Sequence, residues 1–88
     1  MSEIIDNVRT FMTRELRIKD ANTLASDFAL IKRGILDSIE LMQLVSFIES
    51  SYGIAVLDTE ILPENLGTLD QIEAFVRRKS ATADAAPR

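Results

Sequence analysis

The chain has no cysteine, no histidine and no tryptophan, and only three glycines and two prolines among its 88 residues. Without cysteine there is neither a disulfide staple nor a thiolate nucleophile. Without histidine there is no Ser-His or Cys-His pair, and the usual zinc ligand sets are gone as well. Chemistry performed by this chain alone would fall to carboxylates, lysines and hydroxyls. Long apolar runs are missing too, since no stretch nears the roughly 18 consecutive apolar residues of a membrane-spanning helix. The start, MSEIIDNVRTF, sets acids among its apolar residues and lacks the basic-then-apolar layout of a secretory leader. A cytoplasmic location without membrane insertion is the expectation.

Positive charge is absent from the whole middle of the chain. Residues 1–33 hold five acids and six bases, and the last twelve residues hold four bases and one acid. Between Gly34 and Val76 lie eight acids (Asp37, Glu40, Glu49, Asp58, Glu60, Glu64, Asp70 and Glu73) and no base. Such a block repels nucleic-acid phosphates, which argues against a nucleic-acid partner. It reads either as a solvated acidic surface or as an attraction for a basic protein patch.

What is present fits one small domain. Hydrophobic residues make up 47% and charged residues 27%, an ordinary balance for a folded chain. A chain of this size buries only about 60–65% of its unfolded surface, so its core is single and thin. Residues 1–79 are expected to form the domain and residues 80–88, small and polar, a disordered tail.

Apolar spacing predicts helices. Ile5, Val8, Met12 and Leu16 recur at three and four, with Ile4 and Phe11 widening the stripe, over residues 2–16. Ser2 suits the cap of this helix, and Arg14 and Arg17 suit its far end. Residues 17–36 form a long connection in which Leu24, Phe28, Leu30, Ile31 and Leu36 stand among turn formers, and Ser26 or Asp27 suits the start of a helical turn. A second helix is expected over 38–51, capped by Asp37 or Ser38, with Glu40 placed for a capping box and Gly53 for the C-cap. Its core stripe is Leu41, Leu44, Val45 and Ile48. Ile39, Met42 and Phe47 fall off that stripe, so the helix is apolar over more of its circumference than one buried face needs.

Beyond Gly53, Ile54 and Val56 alternate like a strand, but a lone strand has no partner, and the segment reads as loop. A short helix follows Asp58, Pro63 starts another turn, and Thr68 with Gln71 caps a last helix carrying Leu69, Ile72, Phe75 and Val76 on one face. The expected fold is a small all-α four-helix bundle: three longer helices, a short third one and a long first loop.

Ser38 stands out within GILDSIEL, residues 34–41. A serine ahead of an apolar helical run is most often a cap. With no histidine to activate it, Ser38 is a poor nucleophile by itself. At a helix start it is nonetheless exposed, rigidly held and surrounded by backbone N–H groups that favour negative charge, which suits a covalently attached phosphodiester. A partner enzyme would then supply the base.

GILDSIELMQLVSFIESSYGI, residues 34–54, resembles the attachment segment of acyl and peptidyl carrier proteins, whose signature is Asp-Ser-Leu/Ile at the head of the second helix. The resemblance extends over about residues 2–79, through the YGI turn and the final TLDQIEAFV. It implies a carrier-type bundle in which Ser38 bears 4′-phosphopantetheine, donated from coenzyme A by a phosphopantetheinyl transferase. It also implies that Asp37 supports that transfer by helping to place Mg²⁺ and the coenzyme A phosphates. The carrier itself would not be an enzyme. It would be a freestanding monomer that shuttles an acyl or aminoacyl thioester from a loading ligase or synthase to an acceptor transferase, in fatty-acid, polyketide or nonribosomal-peptide assembly.

In that family the second helix docks partners, which maps onto Ile39, Glu40, Met42, Gln43, Ser46 and Glu49, with Glu60 on the short helix. The alternative for Ile39 and Met42 is that they complete the core. The sequence departs from many fatty-acid carriers in having only Glu40 and Glu49 as acids within 38–51, which implies a more apolar interface, with Asp58, Glu60 and Glu64 adding charge on the third helix. Phe47, if turned inward with Phe28, Ile61 and Leu62, would fill the space of a long chain and imply a short cargo. An unmodified helical interaction module is the competing class, with Ser38 a cap alone.

Overall fold

The computed structural model describes residues 3–85, with side chains through Ala81. Helix α1 spans Glu3–Arg14, α2 Ser38–Tyr52, α3 Pro63–Leu66 and α4 Leu69–Ala85, with short 3-10 turns at Ala21–Thr23 and Asp58–Glu60. No strand forms among the described residues, and the Ile54–Val56 segment is loop. No described helix is long and apolar enough to cross a membrane.

The helix spacing resolves into a single core. Val8 and Met12 of α1, Leu44, Val45 and Ile48 of α2, Leu66 of α3, and Leu69, Ile72, Phe75 and Val76 of α4 are all buried. Ala21, Leu30 and Leu36 join them from the long first loop, and Ile54 from the second. Helix α4 packs against α1, α2 and α3, while α1 also meets α2. Removing these side chains from water is the main favourable contribution to folding, about 25 cal/mol for each Å² of apolar surface.

The first loop holds its course by bonds at both ends. Arg9 donates to the Ala21 carbonyl at 2.7 Å, Leu30 N–H donates to the Gly67 carbonyl at 2.7 Å, and Asp70 N–H donates to the Ser26 carbonyl at 2.9 Å. The segment after Ser26 and Asp27 turns as expected, with the Phe28 N–H donating to the Ala25 carbonyl and the Arg33 N–H to the Ala29 carbonyl, both at 3.0 Å, and a 3-10 helix at Ala21–Thr23 precedes it. Asp20 accepts the Thr23 N–H and hydroxyl there, whereas Ser26 turns its hydroxyl to the Asp70 carboxylate at 3.1 Å. Gly34, at φ +77, makes the turn that returns the chain to the core at Leu36 and delivers Asp37 to the head of α2.

The short helix expected after Asp58 is only a 3-10 turn at Asp58–Glu60, and the α-helix forms instead at Pro63–Leu66, where proline at the first helical position suits a helix start. The boundaries of α1 and α4 also differ from the expectation. Helix α1 stops at Arg14, where the sequence suggested 16, because Arg17 adopts a left-handed backbone at φ +57 and lets the Ile18 N–H reach back to the Met12 carbonyl. The cap expected at Ser2 lies outside the described residues. At the other end, α4 continues through residue 85, into the segment expected to be a disordered tail from residue 80. That segment, SATADA, contains three alanines, the best helix formers, and continues a helix already nucleated by its packed first turns. Residues 86–88 of the expected tail lie outside the described residues.

Candidate functional site

The head of α2 is built by its own first residues. Asp37 is the N-cap: its carboxylate accepts the Glu40 N–H at 2.7 Å, and the Glu40 carboxylate accepts the Asp37 N–H at 3.1 Å. This reciprocal box resolves the choice between Asp37 and Ser38 in favour of Asp37. Ser38 is the first helical residue, exposed, and among the described residues no group bonds to its hydroxyl. The N–H groups of Ser38 and Ile39 have no intrahelical acceptor by the geometry of a helix start. Ser38 thus presents a free hydroxyl at the positive end of a fifteen-residue helix whose cap does not depend on it.

At the other end of α2, Gly53 closes the helix at φ +65 and donates to the Glu49 carbonyl at 2.9 Å. Tyr52 accepts the Asn7 amide N–H at 3.0 Å and ties this end to α1. Burial of Leu44, Val45 and Ile48 fixes the rotation of the helix between these two anchors. Ile39 and Met42 consequently face solvent, 72% and 49% exposed, and do not complete the core. Among the described residues, Leu57 and Leu62, on the following loop, are the other large apolar residues left in water.

The remaining residues expected at a docking face divide into two kinds. Gln43 and Ser46 are exposed, and among the described residues their side chains bond to no protein group. The carboxylates are committed to internal bonds. Glu40 completes the box, and the Glu49 carboxylate accepts the Val56 N–H at 2.9 Å, holding the loop after α2. Glu60 accepts the Leu57 N–H at 2.9 Å and pairs with the Lys79 ammonium of α4 at 2.9 Å. The Leu57 backbone bond, followed by Lys79, holds the Glu60 carboxyl below its ordinary value of 4.5. Glu49 and Glu60 therefore shape the loops beside the helix, a role that spacing along the sequence did not reveal.

Phe47 faces α1, not Phe28, Ile61 and Leu62. Its ring stacks on Phe11 with centroids 4.4 Å apart and planes inclined by 18°. The reason lies in α2's rotation: with Ile48 and Leu44 turned to the core, Phe47 falls on the flank that α1 covers. Around this ring pair an open groove of about 730 Å³ runs between α1 and α2, lined by Asn7, Phe11, Arg14, Gln43, Ser46 and Ser50 among others. Phe11 was legible only as part of the α1 stripe. Periodicity assigns a residue to a flank and cannot show which two flanks meet.

No family model matches the chain, and no curated protein matches it.

Proposed function

We propose that the protein is an acyl or aminoacyl carrier whose Ser38 accepts a 4′-phosphopantetheine arm. The observation that carries this reading is the division of labour at the head of α2, where Asp37 caps the helix and leaves the Ser38 hydroxyl exposed and unbonded. The resemblance of GILDSIEL to the carrier attachment motif points to the same residue.

The residues present fit such a group. The orphan N–H groups of the first turn and the helix dipole favour a phosphodiester at Ser38. The adjoining Asp37 and Glu40 carboxylates oppose it. That opposition accords with a divalent cation entering with coenzyme A in the transferase complex, where Asp37 is positioned to attract it. Ser38 Oγ would form the new bond to the pantetheine-side phosphorus of coenzyme A as the pyrophosphate P–O bond breaks and adenosine 3′,5′-bisphosphate leaves, and the serine proton would pass to a base of the partner enzyme, because the chain has no histidine to take it. Once attached, the arm supplies the thiol on which cargo is held as a thioester, a group this cysteine-free chain lacks.

Partner docking belongs to Ile39 and Met42. Both are exposed, apolar and within one turn of Ser38, and a flexible methionine adapts to more than one surface. Gln43 and Ser46 extend that surface with free polar groups. With Glu40, Glu49 and Glu60 engaged internally, contact with a loading ligase or synthase and an acceptor transferase is mainly apolar.

Incubation with coenzyme A and a broad-specificity phosphopantetheinyl transferase is expected to add the mass of one phosphopantetheine, and Ser38→Ala to abolish the gain. Unchanged mass beside a modified control carrier would refute the reading. It would favour instead an unmodified module binding through the same exposed Ile39 and Met42.

A further inference from the structure

We infer that the α1–α2 groove is the resting place of the arm's cargo end, outside the bundle core. This rests on the carrier reading of Ser38 given above.

Reach is the first consideration. Ser38 opens α2, and Gln43, Ser46, Phe47 and Ser50 follow it at 1.5 Å per residue, so the groove runs from about 7 to about 18 Å along the helix axis. About fourteen bonds separate the serine oxygen of a phosphopantetheinyl group from its sulfur. At the roughly 1.2 Å advance per bond of an extended backbone, they span about 17 Å. An arm laid back along α2 therefore ends over Phe47 and Ser50. The path crosses Ile39, Gln43 and Ser46, which share the exposed face of the helix.

Chemistry is the second. The stacked Phe11 and Phe47 rings, with Leu16, give the groove an apolar floor that is only partly buried, so a short acyl chain laid on it removes apolar surface from water. The free side chains of Gln43 and Ser46 can donate to and accept from the arm's two amides on the way. Packing is the third. Leu44, Val45 and Ile48 fill the inner face of α2, with exposures of 4% or less, and none of them lines the groove. The groove offers a short cargo a site that leaves this packed core undisturbed.

The test loads the whole chain with a ¹³C-labelled butanoyl-phosphopantetheine from butanoyl-coenzyme A, with the mass checked first. Isotope-filtered NOEs are expected from the butanoyl methyl to the Phe11 and Phe47 ring protons. Thr10→Trp, a change at an exposed α1 position that lines the groove away from the docking surface of α2, is expected to keep the mass gain and lose the NOE to Phe11. A loaded protein with no NOE to either ring, or with NOEs to Leu44, Ile48 or Ile61, overturns the groove while leaving the carrier reading intact. Retention of the Phe11 NOE in Thr10→Trp overturns it as well. Failure to gain mass overturns the carrier reading, and the groove assignment with it.

Discussion

Asp37 and Ser38 are neighbours with separable duties, and stability measurements distinguish them. The Asp37 carboxylate satisfies the Glu40 N–H and sits at the positive end of α2. Asp37→Ala is expected to cost about 1 kcal/mol, within the range of roughly 0.5–2 for lost N-caps. Ser38→Ala, which removes an unbonded exposed hydroxyl, is expected to stay within about 0.5 kcal/mol of the parent. Urea unfolding of the two variants checks the contrast; equal losses would mean that Ser38 shares the cap. A second residue-scale expectation concerns Arg17, which holds φ +57 at the end of α1 with a side chain that disfavours it. Arg17→Gly is expected to raise stability by about 0.5–1 kcal/mol, read as a higher urea midpoint with unchanged slope.

Between elements, the Glu60–Lys79 pair links the turn before α3 to α4, and it makes that junction sensitive to pH. The Leu57 N–H and Lys79 hold the Glu60 carboxyl below 4.5 in the folded chain. The unfolded chain therefore binds a proton to Glu60 at higher pH than the folded chain does. The resulting stabilisation is fully present above the ordinary carboxylate value and is lost as pH falls through the lower folded value. Unfolding midpoints measured at a series of pH values from neutral downward are expected to fall less steeply for Glu60→Gln than for the parent. Identical slopes would show that the pair contributes no proton linkage. At the same scale, the Asn7–Tyr52 bond and the Phe11–Phe47 stack fix α1 against α2 and so define the groove between them.

For the molecule as a whole, a radius of gyration of 12.4 Å is close to the roughly 12 Å expected of a compact chain of this length. A thin core of this kind has little reserve. Ile48→Ala is expected to cost about 2–5 kcal/mol, a large part of the roughly 4–12 kcal/mol available to a domain of this size. Ile39→Ala, at a solvent-facing site of the same helix, is expected to cost much less. Thermal unfolding of the pair tests whether α2 is rotated as described; similar losses would place Ile39 in the core.

The sequence by itself determined the all-helical architecture, a cap at Asp37 or Ser38, the Gly53 and Thr68 caps and the buried residues of the three long helices, though not Ala21 or Leu66. These follow from interactions within about four positions of the chain, which helical spacing and capping chemistry express directly. It also singled out Ser38, because the acid, the serine and the apolar run are adjacent in the chain. Only the tertiary structure decided that Ile39 and Met42 face water, that Glu49 and Glu60 brace loops, that Phe47 stacks on Phe11, and that α4 runs on to residue 85. The first three depend on which flanks and loops meet across the bundle, a matter of packing between distant segments that no local pattern encodes. The fourth depends on whether a helix already held by the core is extended by a weak but alanine-rich continuation, and here the packed turns before it were enough.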